Sequence, residues 1–490
     1  MGLPERLSRR SFLAGCGVAL VGGEASAGAA PEALAPLIGS ALEPATSWAA
    51  GVGARLGACF LDVATGAELG GVSAGVAENP ASNEKLVTAG TLLHHLGGAH
   101  TFGTAVYGRL SDGRLSGLVL RGEGDPSLTS ADLAVTAGAL SERGAREVDG
   151  IAVDQSVFDD VFVPPGFEQQ PNEWAAFRAP VSAVAVDRNS VLVLIEPMKS
   201  GEPARVTFEP DGFVETDGLV RTGPRGKPSR VSAGLAGKGD HLIAHLGGAV
   251  AEGTSPLRYR QRVDDPRVLP AYALRNALTT AGVSVSGRLG LGQSAETVPL
   301  LFHRSRSLAE LLPELGKNSD NFYAETLLKA LAAAVHGAPG TSAAGAELAM
   351  AWLHAIGAAD AGTRVTNGSG LFDTNRLSPR TLARVLVSGW REPGLGFDYV
   401  NQLAVGGVDG TLKQRFASLA ARRAVLAKTG TLNDTVALSG YVLGPGQRRV
   451  VAFSFIASGV HGRLAAARQH IDAVVERVAG ALWASGATNP

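Results

Sequence analysis

Three short strings in this chain hold the residue types needed to turn a weak hydroxyl into a nucleophile. They are Ser82-Asn83-Glu84-Lys85, Ser319-Asp320-Asn321 and Lys428-Thr429-Gly430. The first follows Asn79-Pro80-Ala81 and opens a run with Leu86, Ala89, Leu92 and Leu93 at helical spacing. Proline beside the start of such a run signals a helix N-terminus, so Ser82 is expected in the first helical turn. Its backbone N–H would lack an intrahelical partner and be available to an oxyanion. Lys85 would stand over the same helix face. Burial and the positive end of the helix dipole would lower its pKa, and a neutral amine can take the Ser82 proton. Alone, the string reads better as an ordinary helix start with Ser near the cap and an exposed lysine.

The second string lies between two helical patterns. One starts at Leu308 and breaks near Gly316, and the other runs from Phe322 to Ala334. Ser319 and Asn321 fall in the connection, where short polar side chains tolerate unusual backbone angles and can project into a cleft. A hydroxyl there could pass a proton to a leaving amine, and an amide could orient Lys85. The same letters are also good helix-cap chemistry. The third string reads as strand, led in by Val425-Leu426-Ala427. Val436 to Val442 and Val450 to Ile456 read as two more strands, joined around Gly444-Pro445-Gly446. Gly430 inside a strand marks a bulge or a close backbone approach, here that of a substrate peptide added as a further strand. Lys428 and the hydroxyls of Thr429 and Thr431 would face a carboxylate, with the Thr431 N–H as a second oxyanion donor. A sheet turn with a surface lysine is the plain alternative. Each string is ordinary by itself; the three together, in this order and on these elements, are not.

In this order the strings resemble the S-x-x-K, S-D-N and K-T-G motifs of class A β-lactamases and penicillin-binding proteins. The gap between Ser82 and Ser319 is domain-sized, so an insert follows the nucleophile helix. With that insert the chain resembles the low-molecular-mass class C penicillin-binding proteins, the D-alanyl-D-alanine carboxypeptidase/endopeptidase family. Four further stretches are similar to that family: Gly122-Glu123-Gly124-Asp125-Pro126-Ser127-Leu128; Pro180 to Asn189; Asn367-Gly368-Ser369-Gly370-Leu371 with Asn375-Arg376-Leu377-Ser378-Pro379; and Gly407-Val408-Asp409-Gly410-Thr411-Leu412. The likeness runs from about residue 40 to about residue 460. Asn367 departs from it, since Asp is expected before Gly-Ser-Gly.

The resemblance implies an α/β (α+β) fold of the β-lactamase/transpeptidase type. An antiparallel sheet is covered by helices, and a large, mostly β insert separates the first two motifs. It also implies a serine D,D-peptidase acting on peptidoglycan stem peptides and acylated by β-lactams at Ser82. Lys85 is then the base, Ser319 the proton donor to the leaving group, and Asn321 the orienting amide. Lys428, Thr429, Gly430 and Thr431 bind substrate, and the Ser82 and Thr431 N–H groups hold the oxyanion. No metal or cofactor is called for. A serine β-lactamase or an esterase on the same fold is an alternative, although no E-x-x-L-N string lies between Ser319 and Lys428. A non-catalytic cell-wall peptide binder is another, but binding alone does not require the Ser82–Lys85 pair.

The expected organisation is a signal over 1–27, a catalytic domain over 28–98 and 301–490, and an insert over 99–300. A nested β subdomain is expected at about 201–247. Ser8-Arg9-Arg10-Ser11-Phe12-Leu13 resembles a twin-arginine export signal. The apolar run to Gly23 is too short to span a bilayer, and Ala25-Ser26-Ala27 reads as a cleavage site. Leu13-Ala14-Gly15-Cys16 also matches a lipoprotein box, so cleavage at Ala27 and lipidation at Cys16 both stay open. Either places the enzyme outside the cytoplasm, in the periplasm, with room for loose membrane association. Loss of the signal leaves Cys59 as the sole thiol, hence no internal disulfide. Between Ala58 and Phe60 it reads as a small buried hydrophobe. A net charge of −1 carries no nucleic-acid footprint. His241 and His245 are four apart in a strand pattern, a weak metal pair, and no other cluster has ligand spacing.

Overall fold

The structure, a computed structural model, describes residues 31–418 and 422–486. The export signal, Cys16 and the Ala27 cleavage site lie outside the described residues. The chain divides into two compact units, 1–100 with 307–324 and 342–490, and 101–306 with 325–341.

The first unit contains helix α1 (Pro31–Gly51), strands β1 (Arg55–Asp62) and β2 (Glu68–Val72), and helix α2 (Glu84–Leu96). After the insert come α3 (Leu308–Gly316), α4 (Asn321–His336), α5 (Ser342–Ala355), α6 (Pro379–Arg391) and α7 (Gly396–Asn401). Four strands follow, β3 (Ala404–Val405), β4 (Val425–Thr431), β5 (Thr435–Leu443) and β6 (Val450–Ser458), and α8 (Leu464–Gly486) ends the unit. The strands make one sheet in the order β3-β4-β5-β6-β1-β2, with every pairing antiparallel. Both faces of its centre are buried, which is why β5 and β6 read as largely apolar runs, interrupted at Ser439 and Ser454, rather than as alternating ones. One face packs Phe60, Leu438, Phe453 and Phe455 against Ile38 and Leu42 of α1 and Ile471 and Val475 of α8. Each such side chain contributes about 1.5–3 kcal/mol of burial. On the other face the Tyr441 hydroxyl donates to Leu386 O of α6 at 2.7 Å. α6 starts with Pro379 in its first turn and a Ser378 cap that accepts from the Thr381 N–H at 2.9 Å. The expected sheet covered by helices is therefore found. Cys59 is free and fully buried, and burial pushes its thiol up to about 12.

In the second unit five strands run in the order Ser284–Leu291, Glu147–Asp154, Arg114–Gly122, Gly103–Ser111, Leu301–Arg304. Helices Ser130–Glu142 and Leu269–Thr280 bury Leu133, Leu140, Leu274 and Leu278 against that sheet. Strands Val214–Gly218, Arg221–Gly223, Arg230–Lys238 and His241–Ala251 form a smaller sheet. Its core continues into a three-stranded sheet through Val191, Val193 and Ile195. The β region read at 201–247 thus shares one core with its neighbours. The boundary expected at 301 is displaced, because Leu301–Arg304 pairs with Gly103–Ser111, and α4 passes into the second unit at Glu325. His241 is held by Asp240 and Glu215, both at 3.1 Å. Among the described residues no group of His, Cys, Asp and Glu is arranged to hold a metal ion, and no helix is long and apolar enough to cross a membrane.

Candidate active site

The turn that carries Ser82 is strained and clamped. Ala81 has φ +47°, a left-handed value costly for a residue with a Cβ. Its N–H donates to Asn79 Oδ1 at 2.9 Å, and Asn79 Nδ2 donates to Phe372 O at 3.1 Å. Ala81–Asn83 form one 3₁₀ turn, and the α-helix begins only at Glu84. Ser82 therefore lies in the first turn of the helical run, and that turn is 3₁₀ rather than α. The tighter pitch brings residues three apart nearly into eclipse, and Lys85 Nζ lies 3.1 Å from Ser82 Oγ. Asn83 ties the turn to the sheet, donating to Ser439 Oγ at 2.6 Å, which donates to Ser454 Oγ at 2.8 Å.

Two glycines press on this turn. A Cβ at Gly430 would lie 3.0 Å from both Ala81 Cβ and Pro80 O. The close approach read at Gly430 is therefore made by the Ser82 turn itself, not only by a peptide to come. At Gly370, φ is +71°, and a Cβ would lie 1.9 Å from Ala81 O.

Lys85 is fully buried. Its Nζ donates to Ser82 Oγ at 3.1 Å, Asn321 Oδ1 at 2.8 Å and Ser369 O at 2.7 Å. The last two partners can only accept. Ser82 alone of the three carries a proton to give. Ser319 sits between α3 and α4 with φ +58°, and Asp320 Oδ1 caps α4 by accepting from the Tyr323 N–H at 3.1 Å. The cap chemistry of the second string is thus carried by Asp320. Asn321 is the first residue of α4, one position earlier than expected. Lys428 is also fully buried, and its Nζ donates to Ser319 Oγ and Thr429 O, both at 2.8 Å. Burial, and secondarily the charge of Lys85, hold its ammonium well below the ordinary lysine range.

The outer edge of β4 is the remaining wall. Lys428 pairs with Ser439 and Thr431 with Val436, while the Leu432 N–H donates to Thr435 O at 2.9 Å. Hydrogen-bonded and non-bonded pairs alternate along such a ladder. Thr429 and Thr431 therefore turn their N–H and C=O groups away from β5. β3 covers only Leu426 and Ala427 of that edge, so among the described residues it stands open from Lys428 onward. The structure thus brings Ser82, Lys85, Ser319, Asn321, Lys428, Thr429, Gly430 and Thr431 together within the first unit. Such a set can attack a carbonyl, move protons and hydrogen-bond an extended peptide.

The model of the D-Ala-D-Ala carboxypeptidase 3 (S13) family matches residues 45–480. The chain belongs to that family. It is a serine peptidase of the penicillin-binding type, as the motifs implied. A D-alanyl-D-alanine carboxypeptidase from Actinomadura sp. (strain R39) is 34% identical over 449 residues, 87% of this chain and 81% of that protein. Another from Haemophilus influenzae is 25% identical, over 77% of this chain and 80% of that protein. The crystal structure of penicillin binding protein 4 from Haemophilus influenzae shares the fold, with a TM-score of 0.75 at 21% identity. It covers 90% of this chain and 99% of that one.

Within this S13 site, sequence reasoning missed two contributors. The Ser369 carbonyl lies in a string quoted only for its family likeness, and a backbone acceptor leaves no side-chain signature. Arg468 of α8 belongs to no motif, yet its Nη2 donates to Thr431 Oγ1 at 3.1 Å. Asn367, the departure from the family pattern, is buried and satisfied. Its Oδ1 accepts from the Gly370 N–H at 3.0 Å and from Asn375 Nδ2 at 2.9 Å. Its Nδ2 donates to Leu371 O at 3.2 Å and Thr374 Oγ1 at 3.1 Å. An ionised Asp could not make the bond to Leu371 O.

Proposed function

We propose that Ser82 is the nucleophile of a D-alanyl-D-alanine carboxypeptidase and D,D-endopeptidase working on peptidoglycan stem peptides. The observation that carries this is the buried Lys85 amine, bonded to Ser82 Oγ and to two partners that can only accept. Neutral Lys85 takes the Ser82 proton as Oγ attacks the carbonyl carbon of the penultimate D-alanine. The N–H groups of Ser82 and Thr431 hold the oxyanion, the second because it faces the open edge of β4. The C–N bond breaks, and the leaving amine takes a proton through Ser319, itself bonded to Lys428. Asn321 keeps Lys85 in place, and Thr429, Gly430 and Thr431 receive the peptide along the strand. Water then cleaves the ester and restores Ser82. In a cross-link the leaving amine belongs to a second stem peptide, and the chemistry is unchanged. A β-lactam would stop at the ester.

Intact mass after incubation with benzylpenicillin, beside release of D-alanine from a stem pentapeptide, tests the scheme. The wild type should carry one adduct and Ser82→Ala none, with an unchanged melting curve. A full adduct on the variant would displace Ser82 from its role. Rapid turnover of penicillin without release of D-alanine would favour the β-lactamase reading. We further propose export through the twin-arginine route to the periplasm, with the mature chain starting near Gly28 and no more than loose membrane association. Changing Arg9 and Arg10 to Lys should trap precursor in the cytoplasm. A mature protein beginning at lipidated Cys16 would contradict that route's product.

A further inference from the structure

A cation at the open edge of β4 would strengthen the hold on a substrate that ends in a free carboxylate. Lys428, the residue first expected there, is poorly suited. It is fully buried, its Nζ already serves Ser319 Oγ and Thr429 O, and burial disfavours its charge. Arg468 is better placed. It is half-buried on α8, and a guanidinium keeps its charge at any physiological pH. Its Nη2 donates to Thr431 Oγ1 at 3.1 Å, and Thr431 is exposed at the open edge. A guanidinium presents five N–H donors in one plane, so one bond to Thr431 leaves an edge to offer. The carboxylate one helical turn along, Asp472, is occupied by Arg415, whose Nε lies 3.1 Å from it. Among the described residues no carboxylate lies within ion-pair distance of Arg468. With Thr431 Oγ1 accepting from Arg468, the Thr431 hydroxyl still has its own proton to donate to an incoming anion.

We propose that Arg468 binds the terminal carboxylate of the substrate together with the Thr431 hydroxyl, and so sets the preference for peptides with a free C-terminus. This rests on the carboxypeptidase reading above. An arginine can meet a carboxylate through two parallel N–H···O bonds, which fixes orientation as well as supplying attraction.

The test compares an N-acylated stem tripeptide ending in D-Ala-D-Ala with its C-terminal amide, and benzylpenicillin with its methyl ester. On the two carboxylate ligands, Arg468→Gln should lose about 10- to 100-fold in kcat/KM or acylation rate. The loss should fall mainly in KM, and Arg468→Lys should recover part of it. The amide and the methyl ester should react with wild type and variant alike. Equal losses on charged and uncharged ligands would overturn the inference, since Arg468 would then only hold Thr431 in place. No loss on the carboxylate ligands would overturn it too. A wild-type enzyme that neither releases D-alanine nor is labelled by penicillin would refute the underlying function itself, a distinct result.

Discussion

Gly370→Ala should damage the chemistry more than the fold. Gly370 sits at φ +71°, where an added Cβ costs about 1–2 kcal/mol from backbone conformation alone. That Cβ would also lie 1.9 Å from Ala81 O and 2.9 Å from Glu84 Cβ. Tolerable carbon–oxygen contacts begin at about 3.3 Å, so loop and turn must part by roughly 1.4 Å. Overpacking of this kind costs about 1–3 kcal/mol, giving about 2–5 kcal/mol in all. The displaced groups are the ones that matter. Ala81 precedes Ser82, and Ser369, whose carbonyl holds Lys85 at 2.7 Å, precedes Gly370. A misplacement near 1 Å costs about 100-fold in rate. The assay is the second-order rate of labelling by a fluorescent penicillin, beside thermal unfolding. Gly357→Ala is the control, with φ +63° and nothing within 4 Å of the added Cβ. It should lose stability through the backbone alone and label at the wild-type rate. If Gly370→Ala also labelled at that rate, the clamp on the Ser82 turn would be no part of what makes Ser82 reactive.

Lys428→Met should flatten the pH dependence of stability. The folded pKa lies below the unfolded 10.5, so the unfolded chain binds more protons, and wild-type stability rises as pH climbs toward 10.5. Urea midpoints measured from neutral pH to about pH 10 should converge on those of the Met variant at the alkaline end only if Lys428 resists protonation in the fold; parallel curves would contradict it. Asp125→Asn should raise the melting temperature at neutral pH by the equivalent of about 1–3 kcal/mol. Asp125 is buried, its Oδ1 serves Ser127 while its Oδ2 has no hydrogen-bond partner, and burial holds the carboxyl above its ordinary 3.8. The sign is opposite to the usual carboxylate case. The folded state binds the extra proton, so the wild type gains on the variant as pH falls toward 3.8, and an advantage constant with pH would refute the assignment.

The site was legible in the sequence where chemistry depends on side-chain type and order. Ser82, Lys85, Ser319, Asn321 and Lys428 could be named from three strings, and β4, β5 and β6 from their apolar runs. Conformation imposed from elsewhere was not legible. Nothing in Asn79-Pro80-Ala81 announces that Ala81 takes φ +47°. Gly430 and Gly370, distant in sequence, leave the room in which that turn packs, and the α-helix begins only at Glu84. The β character of the insert was legible, but its strand pairing was hidden for a similar reason. Val214–Gly218 pairs in parallel with His241–Ala251, a non-local choice that short strands rich in glycine do not advertise.

On the proposed roles, the site separates labile charge from permanent charge. Lys85 and Lys428 are both buried, and a charge on Lys85 makes the Lys428 ammonium harder still to form. When Lys85 gains the Ser82 proton, the cost of a second ammonium at Lys428 rises. That coupling favours passing a proton outward through Ser319, the hydroxyl that Lys428 holds at 2.8 Å. Neither lysine could do this while also serving as a fixed anchor for a substrate anion, because an anchor must keep its charge throughout. Arg468 meets that requirement from a different element, α8, through Thr431. Proton traffic then runs between helix start and interhelical turn, while the strand edge holds the peptide by a charge that does not titrate. The division gives the Arg468 variants a distinguishing mark: they should weaken binding of the carboxylate without moving the pH profile of acylation, which belongs to the lysine pair.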